Sequence, residues 1–173
     1  RLFFQQKIGG IRVTSFQELA CVAGQIPTSG VIKSDTSDFL VDEIMPVQPS
    51  GEGEHLWLHI RKTGNNTDWV ARQLAVWANV KPMDVGYAGL KDRHGVTSQW
   101  YSIQLPGKAD PDMAELKIEG VEVLQHKRHS RKLKRGTLAG NRFDITVREL
   151  KGDTSELQAR LVAVQQQGVP NYF

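Results

Sequence analysis

The chain of 173 residues is poor in cysteine, with Cys21 its single thiol. One thiol closes no internal disulfide, and no CxxC pair stands ready for zinc or an iron–sulfur cluster, so the expected compartment is the reducing cytosol. Long apolar runs are also lacking. None approaches the roughly 20 residues that span a bilayer. The opening R-L-F-F-Q-Q-K-I-G-G has neither the apolar core nor the small-residue cleavage site of a signal peptide, so no membrane partner is expected. There is no internal repeat, no low-complexity tract, no Walker phosphate loop and no G-x-S-x-G elbow, and Gly51-x-Gly53 is too short for a dinucleotide fingerprint. His55 and His59 have the spacing of helical zinc ligands but lie in a strand-period segment without a third ligand, so no metal is expected. What is present, 39% hydrophobic residues and a mean hydropathy of −0.39, predicts a soluble globular chain, either one domain or a large piece of a bigger protein.

Positive charge is unevenly spread. Residues 126–135, H-K-R-H-S-R-K-L-K-R, contain Lys127, Arg128, Arg131, Lys132, Lys134 and Arg135 and no acid. Taking these six from the chain's 22 basic residues leaves 16 against 19 acidic ones, so a net charge of +3 becomes −3 for the remainder. The excess is local, as expected for a site that meets a phosphate backbone. Taken alone, the segment is equally a solvated loop or hairpin.

Along the chain, residues 1–30 are weakly patterned and end in the turn-like P-T-S-G; from residue 31 the pattern sharpens. Phe39-Leu40-Val41 begins a short strand. In E-H-L-W-L-H-I-R (54–61) alternation places Leu56, Leu58 and Ile60 on one face. T-G-N-N-T-D (63–68) offers helix caps, and Val70, Leu74 and Trp77 predict an amphipathic helix over 67–79. Strands are predicted around 84–88, 99–105 and 120–126. R-F-D-I-T-V-R (142–148) alternates most cleanly, with Phe143, Ile145 and Val147 inward. D-T-S-E (153–156) resembles a capping box opening a helix with Leu157, Leu161 and Val164 on one face. Many strands and two helices predict an α+β fold, a mixed or antiparallel sheet covered on one side by helices.

The stretch that carries chemistry is G-L-K-D-R-H-G-V-T-S-Q-W (89–100). One carboxylate, Asp92, stands among Lys91, Arg93 and His94 between two glycines, at the end of a predicted strand. An exposed turn has this composition. So has a site that keeps a carboxylate ionised by neighbouring cations and aimed by a rigid element. Lys91 need not be the ion partner, because neighbours on a strand point to opposite faces. A hydrolase built on Asp92 and His94 lacks an orienting third member.

This stretch resembles the signature of the TruD family of tRNA pseudouridine synthases, whose G-x-K-D-[KR]-x-[AG]-x-T-x-Q pattern is matched from Gly89 to Gln99. K-S-D-T-S-D-F-L-V-D-E (33–43), G-E-G-E-H (51–55), N-N-T (65–67), G-x-L-x-G-N-x-F (136–143) and G-V-P-N-Y-F (168–173) resemble further family motifs, in the family order. The resemblance covers about residues 30 to 173. It implies isomerisation of a uridine in tRNA, typically position 13 in the D arm, with neither metal nor cofactor. By the same resemblance Asp92 is the catalytic group, Phe39 and Asn141 contact the substrate nucleotide, Phe143 lies beside the target base, and Lys33 and Lys91 have supporting roles. The basic segment would hold the tRNA backbone. The family's P-E-D-F is here Thr36-Ser37-Asp38-Phe39, so Ser37 lacks a carboxylate most relatives carry. Members continue past N-Y-F, so residues 31–173 are expected to be the N-terminal part of the catalytic domain, with residues 1–30 an extension. A non-catalytic RNA-binding module is the alternative, and the sequence leaves the oligomeric state open.

Overall fold

A computed structural model describes residues 6–8, 11–13 and 28–168. Cys21 and the part of the G-V-P-N-Y-F motif after Gly168 lie outside the described residues. Two compact units divide the chain, one comprising Val31–Arg148 and the other Arg1–Gly30 with Glu149–Phe173.

The larger unit is built on a sheet of β4 (Phe39–Ile44), β5 (His55–Thr63), β6 (Val85–Tyr87), β7 (Val96–Gln104), β8 (Val121–His129) and β9 (Gly140–Ile145), in the order β8-β5-β7-β4-β9 with β6 paired to β7. Only β4 and β7 run parallel; the other pairs are antiparallel. Helix α1 (Thr67–Trp77) packs on one face. Leu56, Leu58 and Ile60 of β5, Tyr101 and Ile103 of β7, and Val70 and Leu74 of α1 form a single buried cluster. Each fully buried side chain of this size stabilises the fold by about 1.5–3 kcal/mol. The opposite face buries Trp57 and Trp100 under Leu133. His59 stacks on Trp100 at 4.9 Å, so it serves packing. Burial pushes its pKa down. The α+β expectation therefore holds, with α1 within two residues of its predicted end.

One detail of topology places the site. Strands β4 and β6 share one edge of β7: β4 pairs with Val96–Ser98 and β6 with Tyr101–Ile103. The connection over residues 88–95 must therefore leave the sheet and return to it between two strands. Strand β8 runs three residues beyond its predicted end, because β5 offers partners as far as His55, opposite His129. Lys127 and Arg128 consequently lie on a strand rather than a loop.

The inward placement of Phe143, Ile145 and Val147 is corrected by the structure. Phe143 is 55% exposed, and Ile145 and Val147 are also exposed. Strand β9 is the sheet's last strand, and α1 covers only the β5–β7 section. The ladder ends at Thr146, whose N–H bonds to the Asp38 carbonyl, and Val147 opens β10 (Val147–Gly152), which pairs with β3 (Thr28–Ile32).

In the smaller unit, β1 (Gln6–Ile8) and β2 (Ile11–Val13) form an antiparallel pair. Helix α2 (Thr154–Gln167) begins where predicted, with Asp153 accepting from the Ser155 and Glu156 amides. It buries none of its side chains. On the predicted face of Leu157, Leu161 and Val164, the last two are exposed.

Candidate active site around Asp92

Register explains which side chains meet. Phe39 and Val41 of β4 stand opposite Ile145 and Phe143 of β9, and Glu43 opposite Asn141. Directly paired residues share a face, and on β7 that face continues through Thr97, Gln99 and Tyr101 into the core under α1. The half of this face formed by β4 and β9 has no helix over it among the described residues, so Phe39, Asn141 and Phe143 line an open floor. The rings of Phe39 and Phe143 lie 6.0 Å apart, tilted by 59°.

Asp92 stands at the rim of that floor. It lies in the irregular connection after β6 rather than at a strand end as expected, and side-chain bonds hold the connection in place. The Gln99 amide donates to the Gly89 carbonyl at 2.9 Å, and the Lys91 amide donates to the Thr67 hydroxyl at 2.9 Å. Thr67 in turn donates to Gln99 at 2.9 Å, and the Arg93 guanidinium donates to the Gly64 carbonyl at 3.0 Å. Gly95 packs on the Phe39 carbonyl, where an added Cβ would come within 2.6 Å. Gly95, Thr67 and Gln99 therefore serve to fix this turn.

The Asp92 carboxylate accepts from the Lys33 ammonium and, at 2.8 Å, from the His94 backbone amide. Those two bonds, the lysine's first, hold its pKa below the ordinary carboxylate value. Lys33 also lies 4.0 Å above the Phe39 ring centroid, so one cation touches both the acid and the floor. Its backbone is left-handed, with φ of 59°, a conformation costing a lysine on the order of 1–2 kcal/mol. Rigid surroundings hold such strain, and it gathers at functional sites. Next to Phe39, Asp38 is buried and takes two bonds from Arg148 at 2.6 and 2.7 Å, which pins the start of β4. Ser37, the residue that departs from the family pattern, is exposed and bonds to Asp35 at 2.7 Å.

Lys91 does not join this group. Its ammonium is buried against Glu43 at 2.8 Å, with both side chains almost wholly inaccessible, so it is placed to support the fold beneath the site and not to contact a substrate nucleotide. Glu43, unnoticed in the sequence reading, also accepts the Trp100 amide at 3.0 Å. Its signal was there: positions 39, 41 and 43 alternate onto one face.

The six basic residues divide. Arg128 is committed to structure, paired with Asp110 at 2.6 Å and donating to the Lys108 carbonyl at 2.7 Å. Lys132 donates to the Met83 carbonyl, and Arg135 to the Tyr87 hydroxyl at 2.7 Å. Lys127, Arg131 and Lys134 are exposed, with no side-chain ion pair or hydrogen bond among the described residues. The basic loop borders the acid loop: the Gly136 amide donates to the Ala88 carbonyl at 2.8 Å, and Leu138 faces Gly89.

Fold and site thus define an α+β protein that presents one ionised carboxylate beside a cation and two aromatic rings, on a sheet face that no helix covers among the described residues. The chain belongs to the TruD family: the family model described as tRNA pseudouridine synthase D (TruD) matches residues 19–173. It is 57% identical over 158 residues to a tRNA pseudouridine synthase D of Methylococcus capsulatus, covering 91% of this chain and 45% of the relative. The tRNA pseudouridine synthase D of Colwellia psychrerythraea is 51% identical, with 90% of this chain and 42% of the relative covered. Among solved structures, the crystal structure of a Methanosarcina mazei protein assigned as tRNA pseudouridine synthase D (TruD) superposes with a TM-score of 0.69 at 29% identity. It covers 83% of this chain and 34% of that one. The chain spans less than half the length of these curated relatives.

Proposed function

We propose that this chain contributes the catalytic carboxylate of a tRNA pseudouridine synthase, with Asp92 as the catalytic residue. The observation that carries the reading is the meeting of Lys33, Asp92, Phe39 and Phe143 on one open face, in a chain of the TruD family. The reaction breaks the bond from ribose C1′ to N1 of uracil, turns the base, and joins C1′ to C5. A proton leaves C5 and one is gained at N1, so atoms and electrons balance within the substrate. An ionised carboxylate serves as nucleophile or as base at the sugar, and the Lys33 and His94 bonds keep Asp92 in that form. The uracil first leaves its stack at a cost of a few kcal/mol. Stacking on Phe39 or Phe143, worth roughly 1–3 kcal/mol per base, offsets that cost.

In this reading the substrate is tRNA, the target is uridine 13 in the D arm, and Asn141 beside Phe143 contacts the nucleotide. The exposed Lys127, Arg131 and Lys134 meet its backbone, residues 31–173 form the N-terminal part of the catalytic domain, and the cytosol is the working compartment. The test is Asp92→Asn in the full-length protein, with pseudouridine measured by mass spectrometry of the tRNA and affinity measured separately. The expected result is loss of conversion with tRNA affinity within about twofold, since the change removes one charge and little volume. Near-normal conversion by this variant overturns the role of Asp92. Wild-type protein that binds tRNA but converts none favours the RNA-binding module instead.

A further inference from the structure

A side chain outside the signature holds the acid loop from beneath. Lys62 continues the Leu56, Leu58, Ile60 face of β5 into the core and is 1% exposed. Its ammonium donates to the carbonyls of Asn65 at 2.8 Å, Asp92 at 2.9 Å and Lys91 at 3.3 Å. No carboxylate forms an ion pair with it among the described residues. An ammonium has three rotatable donors on a long stem, and here all three go to main-chain oxygens, two of them in the turn that carries Asp92.

We propose that Lys62 is a positioning residue for Asp92, its ammonium clamping the backbone of residues 91 and 92 so that the carboxylate stays beside Lys33. The inference rests on the reading of Asp92 as the catalytic group. Burying an unpaired charge works against stability, and an apolar side chain of similar volume would fill the space at lower cost. What that side chain could not do is tie the β5–α1 turn at Asn65 to the acid loop. Desolvation lowers the Lys62 pKa to about 8, with the charge of Asp92 favouring the ammonium and that of Lys91 opposing it. The clamp is therefore a device that loosens in mildly alkaline solution.

The experiment compares wild type with Lys62→Met in the full-length protein, reading conversion of tRNA and, independently of turnover, amide hydrogen exchange over residues 89–96. In Lys62→Met we expect kcat to fall roughly 10- to 100-fold, the range for a displaced reacting group, with KM for tRNA unchanged. Exchange over 89–96 should accelerate while residues 99–104 of β7 keep their protection. The wild-type kcat should decline above about pH 8, and the variant should lack that limb. Unchanged kcat, or unchanged protection of the loop, overturns the clamp. If the wild type converts no tRNA, the parent reading fails, and the exchange data still decide whether Lys62 holds the loop. Should Lys62→Met not fold, the wild type between pH 7 and 9 carries the test. After correction for the intrinsic rise in exchange rate, residues 89–96 must lose protection relative to 99–104, and equal behaviour of the two segments overturns the proposal.

Discussion

At the scale of single residues, the site is set by where two lysines point. Lys33 reaches Asp92, whereas Lys91, its neighbour in sequence, turns inward to Glu43. The consequence for Asp92 is electrostatic. Its folded pKa lies below the unfolded value, so the ionised form persists to lower pH than in an ordinary aspartate. Removing the ammonium in Lys33→Met takes away the largest cause, and the acid limb of the kcat/KM profile is expected to move to higher pH. A limb that stays in place would show that Lys33 does not set this pKa. The same depression contributes stability above the unfolded pKa, and that contribution is lost as pH falls through the folded one. It is small, because the side chain is a third exposed. The Lys91–Glu43 pair is different in kind. Removing one partner strands a buried charge at about 3–5 kcal/mol. Denaturant titration should therefore show Lys91→Met strongly destabilised, and Lys91→Met with Glu43→Leu destabilised less than Lys91→Met alone.

Between elements, the decisive contacts are backbone approaches that admit no side chain. Gly95 lies where a Cβ would meet the Phe39 carbonyl at 2.6 Å, and Gly86 where one would meet the Leu133 carbonyl at 2.3 Å. The first contact joins the acid loop to the start of β4, and the second joins the basic loop to β6. Gly95→Ala is expected to lower conversion at least about tenfold by pushing Asp92 from Lys33, because misplacement by about 1 Å can cost 10²-fold. Gly86→Ala should lower stability and tRNA affinity while leaving the 89–96 loop protected from exchange. Neither position needs a left-handed φ. The requirement is space alone, and it comes from strands distant in sequence.

For the whole molecule, charge and coverage matter. Only three of the six basic residues are exposed without a protein partner among the described residues. Replacing Lys127, Arg131 and Lys134 by Ala is expected to reduce the salt dependence of tRNA binding by about two units, at roughly 0.7 per phosphate on the single-strand scale. Arg128→Ala should instead lower the melting temperature, because its bonds to Asp110 and to two main-chain carbonyls hold β8 to the 105–110 segment. A slope unchanged in the triple variant would assign the basic segment to solvent. The open floor of Phe39, Asn141 and Phe143 belongs to this scale too. Its exposure follows from α1 covering only the central strands.

The central strands and both helices were readable from sequence because period 2 and period 3.6 are local properties, whereas β3 falls on the stretch read as the turn P-T-S-G and the run at 142–148 divides into β9 and β10, since strand pairing depends on a distant partner. E-H-L-W-L-H-I-R and the Val70–Leu74 spacing each specify a buried face without reference to anything distant. The ordered motifs single out Asp92, Phe39 and Phe143, and the structure brings them together with Lys33. Burial of the clean alternation at 142–148 was misread, because alternation defines a face but not whether another layer lies on it. Lys62 and Glu43 were passed over although each continues an apolar alternation, since composition treats a charged residue as solvent-facing. Sequence by itself determined the central strands and the two helices, the face each alternation defines, and that positive charge gathers in one place. Only tertiary structure decided which lysine meets Asp92, which cations have no protein partner among the described residues, and which face α1 leaves open, because those outcomes depend on distances between segments that no local period encodes.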